Sequence, residues 1–507
     1  MAFVRIDFDP AIEFGQANVA DVISRHAAER PYAVAIVEGQ AIIHYRTLSR
    51  AVLAVGWHLR RSGIAAGDVV GVALPHSAMY LVTVYALALI GAASVALPLS
   101  DPAALRARYV QRFRVARIAS DGADADPTGI PTVMVSAAAL RDAPRNLPAD
   151  LRVPGGERPW TIWRTSGTTS EAKGVPGLHL TSLAMARAFA GHFPGANERY
   201  LCVMDLTTAY GLNTCERTLF GGGTIVMPAL PLAETEFLEC IDRYAITHVA
   251  LTPNFFSVLL PHLPADGVRC PSLRTAISAG MAMPESLRAE IRRRFSPALS
   301  IMYASNEGSY LTCADAALQE RHPETVGTSM PGVELETVDE EDRQVPAGEP
   351  GSIRIRTPWM LKGYVDAPSE AQQRTFRNGW IYTGDVGVLS EDGMLFLKGR
   401  VDDMMNYDGI KIMPADIEAA LLSHPAVAEA VAFPAPSVRH QHVPMAAVVL
   451  RSPARPEDLV EHCRRLLGAR APVALSIERT FPRNAMGKVV RRDIADRMAA
   501  QLPEHLR

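Results

Sequence analysis

The chain has 507 residues, too many for one hydrophobic core, so at least two domains are expected. Hydrophobic residues make up 48% and charged residues 21%, a globular composition that excludes a disordered chain. A formal net charge of −3 leaves no electrostatic case for nucleic acid or an anionic membrane as the main partner. The cysteines, Cys202, Cys215, Cys240, Cys270, Cys313 and Cys463, form no C-x-x-C pair. Neither a zinc site nor a disulfide framework is suggested, and they read as buried, reduced thiols of a cytoplasmic protein. Met1 to Pro10 carries charges where a signal peptide needs an apolar core.

In chain order, residues 17–30 read as helical. Ala33–Val37 and Ala41–His44 form a hairpin around Glu38-Gly39-Gln40, followed by an amphipathic helix, Tyr45–Ser62. Val69–Leu74 is a buried strand after a Gly67-Asp68 turn. Tyr80 to Leu99 runs twenty residues without a charge, the length of a membrane span. Gly91 and Pro98 interrupt it and Ala92–Leu97 is small and β-like, so it reads as helix, turn and buried strand. Leu105–Phe113 is a helix and Arg117–Ser120 a strand; this alternation predicts a largely parallel sheet with helices on both faces. Residues 121–158, rich in Pro, Ala, Gly and Asp, read as a surface connection. Strands are expected at Trp160–Trp163, Tyr200–Met204, Ile225–Met227, His248–Thr252 and Arg274–Ser278. Helices are expected at Thr181–Ala190, Glu234–Tyr244 and Pro284–Phe295, the last with Pro in its first turn. The strand ending at Met204 runs into Asp205–Asn213, whose polar residues could bond a polar group or simply pack as strand and loop. Short strands from 333 to 399 suggest a β-rich subdomain. Beyond Val401 the chain reads as a compact α+β unit, with helices Pro414–Leu422 and Pro456–Leu467.

One stretch concentrates phosphate-binding chemistry: Thr165-Ser166-Gly167-Thr168-Thr169-Ser170-Glu171-Ala172-Lys173-Gly174-Val175. Hydroxyls and bare backbone N–H groups suit a polyphosphate, glycine permits close approach, and lysine adds a mobile cation. The spacing is not that of a Walker loop. An ordinary Ser/Thr/Gly turn is the bland alternative, which Lys173-Gly174 at that distance disfavours. T-S-G-T-T-x-x-x-K-G resembles the phosphate loop of the adenylate-forming superfamily, which includes acyl-CoA synthetases, aryl-acid ligases, peptide-synthetase adenylation domains and luciferases.

Further segments resemble the same superfamily in the same order. Tyr303-Ala304-Ser305-Asn306-Glu307-Gly308 is similar to Y-G-x-T-E, with Ala304 for Gly and Asn306 for Thr. The resemblance implies that Glu307 holds Mg²⁺ at the triphosphate and Tyr303 stacks on adenine, with Ala304, Ser305 and Asn306 beside the nucleotide. Tyr382-Thr383-Gly384-Asp385 resembles the motif whose aspartate binds the ribose hydroxyls. Gly399-Arg400-Val401-Asp402-Asp403 resembles the domain junction, with Arg400 on ribose or phosphate and Asp402 as hinge. Ala279-Gly280-Met281 resembles the segment that passes adenine and acyl group. Pro482 to Arg491 resembles P-x-x-x-x-G-K-[IV]-x-R, whose lysine, here Lys488, binds the reacting carboxylate and α-phosphate. Charge logic agrees, because an anionic carboxylate attacking an anionic triphosphate needs a buried cation.

What the resemblance implies is an α/β protein. A large N-terminal AMP-binding domain spans 1–399, with its β-rich subdomain at 333–399. A hinge at 400–403 leads to a small, mobile α+β domain at 404–507. The implied activity is activation of a carboxylic acid by ATP with Mg²⁺, catalysed through Lys488, Glu307 and Lys173. The acyl-adenylate would then pass to a thiol, either CoA or the phosphopantetheine of a carrier protein acting in trans. The acyl pocket would draw on Thr207, Thr208, Tyr210, Asn213, Ser278 and Met281. Amino-acid-activating members carry an aspartate where this chain has Ala209 or a near neighbour, so a non-amino carboxylic acid is favoured; a freestanding amino-acid adenylation enzyme is the alternative. Asn406 stands where many members carry lysine. Lys411, Arg464, Arg465, Arg491 and Arg492 could meet CoA phosphates or an acidic carrier surface. The resemblance is also compatible with a homodimer, and implies neither a membrane span nor a nucleic-acid partner.

Overall fold

The computed structural model describes residues 13–122, 129–141, 148–164, 173–366, 369–407, 410–437, 441–483 and 489–499. The chain divides into two compact units, Met1–Glu334 with Ile355–Ile381, and Leu335–Arg354 with Tyr382–Arg507.

The first unit contains two mainly parallel sheets. One runs in the order Thr132–Met134, Arg117–Ser120, Val69–Ala73, Ala93–Ala96, Pro159–Arg164, Gly174–Leu178. Its strands are parallel as far as Pro159–Arg164. The final pair is antiparallel, with Arg164 opposite Gly174. The hydroxyl-rich stretch that starts at Thr165 lies between these two strands in sequence, and its residues 165–172 are outside the described residues. The other sheet runs Gly327–Ser329, Ser309–Ala314, Leu299–Ser305, Thr275–Ser278, His248–Leu251, Arg199–Leu201, Thr224–Met227, Val34–Glu38, Ala41–His44. From Leu299–Ser305 to Val34–Glu38 it is parallel, and antiparallel hairpins flank that run. His248–Leu251 is buried at every position, as a strand covered on both faces must be.

Helix Tyr45–Arg61 buries Tyr45, Leu48, Val52, Val55 and Leu59, one face at three- and four-residue spacing. Helix Ala78–Leu89 is buried on all sides from Tyr80 onward, which explains its uniform hydrophobicity. Ser77 Oγ accepts from Tyr80 N to cap it. Its twelve residues span about 18 Å, well short of a roughly 30 Å bilayer core. Among the described residues no helix is long and apolar enough to cross a membrane. Gly91, at φ 78°, ends the segment, and a Cβ there would stand 2.7 Å from Val153. The chain then enters strand Ala93–Ala96, as the helix, turn and strand reading expects.

Four local readings change. Asp205–Asn213 is not strand and loop throughout, because a helix starts at Ala209 and continues to Gly221. Its first residues, including Thr, Tyr and Asn, are weak helix formers, so propensity does not announce it. Thr208 caps it by accepting from Gly211 N, and a Cβ on Gly211 would stand 2.2 Å from Asp205 O. A second unread helix, Pro253–Leu259, is capped by Thr252. The 121–158 connection contributes strand Thr132–Met134 to the sheet. Pro284 precedes helix Glu285–Arg294 as its cap residue instead of entering its first turn. All six cysteines are free; Cys313 is partly exposed and the others are buried.

Strands Pro350–Arg356, Trp380–Leu389 and Met394–Arg400, most of whose residues belong to the second unit, neighbour one another in that order. A further sheet runs Ile410–Ile412, Met405–Tyr407, Gln441–Leu450, Val427–Ser437, with Ala474–Glu478 parallel to Gln441–Leu450. Alternate residues of Val427–Ser437 serve opposite faces. Val427 and Ala432 join Ile417, Leu421 and Leu459 on one side. Val431, Phe433 and Ala435 join Phe481 and Ile494 on the other.

Candidate active site

Glu307 stands at the tip of the hairpin joining Leu299–Ser305 to Ser309–Ala314. Ser305 Oγ accepts from Gly308 N at 2.9 Å and closes the turn. A Cβ on Gly308 would stand 2.3 Å from Ile355 Cδ1 and 2.7 Å from Leu311 Cδ2, so these side chains would have to shift to admit a larger residue beneath the carboxylate. Tyr364 reaches up to it: the phenol donates to Glu307 Oε1 at 2.7 Å and lies 3.2 Å from Thr375 Oγ1. The face of the same ring carries Lys173 Nζ, 5.1 Å from its centroid. Val365 N donates to Gly174 O at 2.8 Å, which pins the two segments together. Gln372 holds Tyr364 from behind, accepting from its N and donating to its O, both at 2.9 Å. Phe376 packs edge-on to the ring at 5.0 Å. One tyrosine thus joins the lysine and the glutamate that the sequence singles out. Sequence reasoning missed Tyr364, because a tyrosine after glycine carries no catalytic signal of its own.

In the other unit, Asp385 and Arg400 face each other across paired antiparallel strands. Arg400 Nη1 donates to Asp385 Oδ1 at 3.2 Å. Gly384, at φ 76°, makes room for this, since a Cβ there would stand 2.6 Å from Arg400 Nη2. Thr383 Oγ1 accepts from Asp385 N at 3.2 Å and fixes the turn before the carboxylate. Asp402 is exposed in the short helix Val401–Asp403, and the next residue, Asp403, pairs with Arg491 at 3.4 Å. Arg491 also donates to Glu418 at 2.6 Å.

The remaining predicted positions sit at strand ends and helix starts of the first unit. Tyr303 is nearly buried opposite Thr312, Ala304 and Ser305 are partly buried, and Asn306 is exposed at the hairpin tip. Ala279 is buried. Gly280, at φ 88°, is exposed, with nothing within 4 Å of where a Cβ would be. Ser278 Oγ is buried without a hydrogen-bond partner, and Met281 is partly exposed. Thr207 N binds Asp205 Oδ1 at 2.8 Å, and Thr208 Oγ1 donates to Asp205 O at 2.7 Å. The Tyr210 hydroxyl bonds the carbonyls of Leu251 and Ile277 at 3.2 and 3.3 Å, so it ties the helix to two strand ends. Asn213 is partly exposed one turn further on. Thr165, Ser166, Gly167, Thr168, Thr169, Glu171 and Lys488 lie outside the described residues.

Among the described residues no group of three His, Cys, Asp or Glu side chains could hold a metal ion. A single carboxylate such as Glu307 suits Mg²⁺, which usually takes one or two protein oxygens and completes its shell with phosphates and water.

The family model described as AMP-binding enzyme matches residues 23–365, and that described as AMP-binding enzyme C-terminal domain matches 416–488. A probable CoA ligase of Humulus lupulus is 28% identical over 502 residues, covering 92% of this chain and 94% of that protein. A 4-coumarate–CoA ligase-like protein of Oryza sativa subsp. japonica is 28% identical over 350 residues, which cover 66% of this chain but only 62% of that protein. Among solved structures, the o-succinylbenzoate CoA synthetase of Bacillus subtilis, in complex with an acyl-adenylate intermediate, superposes with a TM-score of 0.84. It is 23% identical and covers 93% of this chain and 97% of its own. An amide bond synthetase from Marinactinospora thermotolerans has the same TM-score of 0.84 at 25% identity, covering 95% and 99%. The chain belongs to the AMP-binding enzyme family, the adenylate-forming superfamily of acyl-CoA-synthetase-like ligases.

Proposed function

We propose that this chain ligates a carboxylic acid to the thiol of CoA in two steps driven by ATP. The observation that carries this reading is the Lys173–Tyr364–Glu307 arrangement, in which one phenol ring sets a cation and a carboxylate side by side. In the first step a carboxylate oxygen attacks the α-phosphorus of ATP. The bond to pyrophosphate breaks and an acyl-adenylate remains. In the second, the thiol attacks the acyl carbon, AMP leaves and the thiol proton is released. No protein nucleophile is required; placement and charge neutralisation lower the barrier.

Lys173 meets the phosphates together with Thr165, Ser166, Gly167, Thr168 and Thr169. Glu307 supplies the protein oxygen for Mg²⁺, which when bound offsets phosphate charge. Tyr303, Ala304, Ser305, Asn306, Ala279 and Gly280 border the nucleotide, and Asp385 and Arg400 hold its ribose. Lys488 neutralises the reacting carboxylate. The working division is a large domain 1–399, a hinge 400–403 centred on Asp402 and a small domain 404–507 that rotates between the two steps.

The acid is not an α-amino acid. Ala209, at the start of its helix, offers no carboxylate for an ammonium group, and the exposed Asp205 spends Oδ1 on the Thr207 N–H. A pyrophosphate-release panel of fatty, aryl, dicarboxylic and amino acids tests this, followed by CoA, a holo-carrier protein and a simple amine as acceptors. Thioester formation with CoA is expected. Release with amino acids alone would overturn the acid assignment, and amide formation without thioester would overturn the acceptor.

A further inference from the structure

Helix Ala209–Gly221 carries a buried cation that the two-step reaction does not use. Arg217 is 2% exposed. It lies four residues beyond Asn213 and seven beyond Tyr210, on the same helical face. Its Nη2 donates to Ser309 Oγ at 2.8 Å, two residues past Glu307. Its guanidinium carbon lies 5.0 Å from the Tyr310 ring centroid and 5.3 Å from that of Phe193. Ring contact of this kind engages the planar face and leaves the N–H edges for acceptors. Yet Nε and Nη1 are buried without any hydrogen-bond partner. Among the described residues no carboxylate comes within 4.0 Å of the group. Its neighbour Glu216 is turned about 100° around the helix. Burial pushes that carboxyl up to about 7 while the Arg217 charge pulls it down, and it makes no ion pair with the guanidinium.

A buried cation with open N–H groups and no paired carboxylate is costly unless an acceptor completes it. Water would satisfy the donors but not the charge. A second orphan flanks the same helix: Ser278 Oγ, 1% exposed and unpartnered, ends the strand whose Ile277 carbonyl takes the Tyr210 hydroxyl. Resting on the ligase reading above, we propose that Arg217 anchors the far end of the acyl pocket, and that the acid activated is a dicarboxylic acid whose second carboxylate Arg217 binds. The carboxylate that reacts lies toward the phosphates, and the other end of the molecule meets the guanidinium.

Aliphatic C4 to C8 diacids and aryl diacids are each compared with their own monomethyl esters in pyrophosphate release, using wild-type protein and R217Q. The ester keeps the size and removes one charge. Wild type is expected to favour diacid over ester in kcat/KM by about 10- to 100-fold, the range of a charge-assisted hydrogen bond. R217Q should erase that preference while leaving the esters and the KM for ATP within about threefold. R217K, which keeps the charge but loses the guanidinium edge, should retain part of the preference. Esters preferred over diacids by wild type would overturn the proposal, as would an R217Q loss shared equally by both. A rise confined to the KM for ATP would also overturn it, by assigning the group to the nucleotide. If R217Q does not fold, the wild-type ratio with R217K decides alone. Absence of pyrophosphate release with every acid would instead sink the ligase reading.

Discussion

Replacing Tyr364 by phenylalanine removes one oxygen and keeps the ring. The face that carries Lys173 and the edge contact with Phe376 remain, while the 2.7 Å bond to Glu307 and the 3.2 Å contact with Thr375 disappear. A hydrogen bond to a charged group contributes about 1.5–3 kcal/mol. At 1.36 kcal/mol per factor of ten, its full loss from the transition state would lower kcat/KM about 10- to 150-fold. Glu307 is partly open to solvent, so the low end, near 10-fold, is expected. The signature separates positioning from packing. If the phenol aims Glu307 at Mg²⁺, Tyr364→Phe should raise the Mg²⁺ concentration needed for half-maximal pyrophosphate release and leave the KM for the acid unchanged. Thr375→Val removes only the second contact and should behave like wild type. Tyr364→Leu, which also deletes the ring under Lys173, should in addition weaken ATP. The reasoning fails if Tyr364→Phe keeps wild-type kcat/KM at limiting Mg²⁺. It fails equally if its activity loss simply tracks a lower melting temperature.

Three further outcomes are expected. Lys488→Ala should abolish acid-dependent pyrophosphate exchange yet leave conversion of a supplied acyl-adenylate to thioester largely intact; equal loss of both steps would remove the two-step role assigned to this residue. Asp385→Asn should raise the KM for ATP about tenfold, as loss of one charged hydrogen bond predicts. The pair it forms with Arg400 is partly exposed, so its folding cost should stay within about 1 kcal/mol, and a urea melt beside the kinetics distinguishes the two effects. His179 is buried and accepts from Val19 N at 3.0 Å, and burial lowers its pKa to about 3. A depressed histidine leaves the unfolded chain binding more protons, so its contribution is complete above about pH 6.5 and declines as pH falls toward 3. The stability of His179→Gln should therefore vary less than wild type between pH 6.5 and 4 in chemical denaturation; an unchanged slope would contradict the assignment.

Sequence legibility follows the physics of each segment. Strands such as Val69–Ala73 and helices such as Tyr45–Arg61 announce themselves because burial on two faces, or on one, imposes a pattern on the residues. The helix at Ala209 does not, because its start depends on a Thr208 cap and on Gly211 approaching Asp205, contacts that no propensity records. The motifs containing Lys173, Glu307, Asp385 and Arg400 stand out in the sequence because the roles proposed for them, on phosphate, metal and ribose, restrict which side chains can serve and at what local spacing. Composition, charge and motif order thus determined the family and its chemistry, and singled out the ionic residues proposed to serve it. Tertiary structure alone decided that Tyr364 joins Lys173 to Glu307 and that Arg217 lies buried with two N–H groups unpartnered. Both depend on segments distant in the chain meeting through packing, and neither a tyrosine in a strand-rich region nor an arginine in a helix carries that information locally.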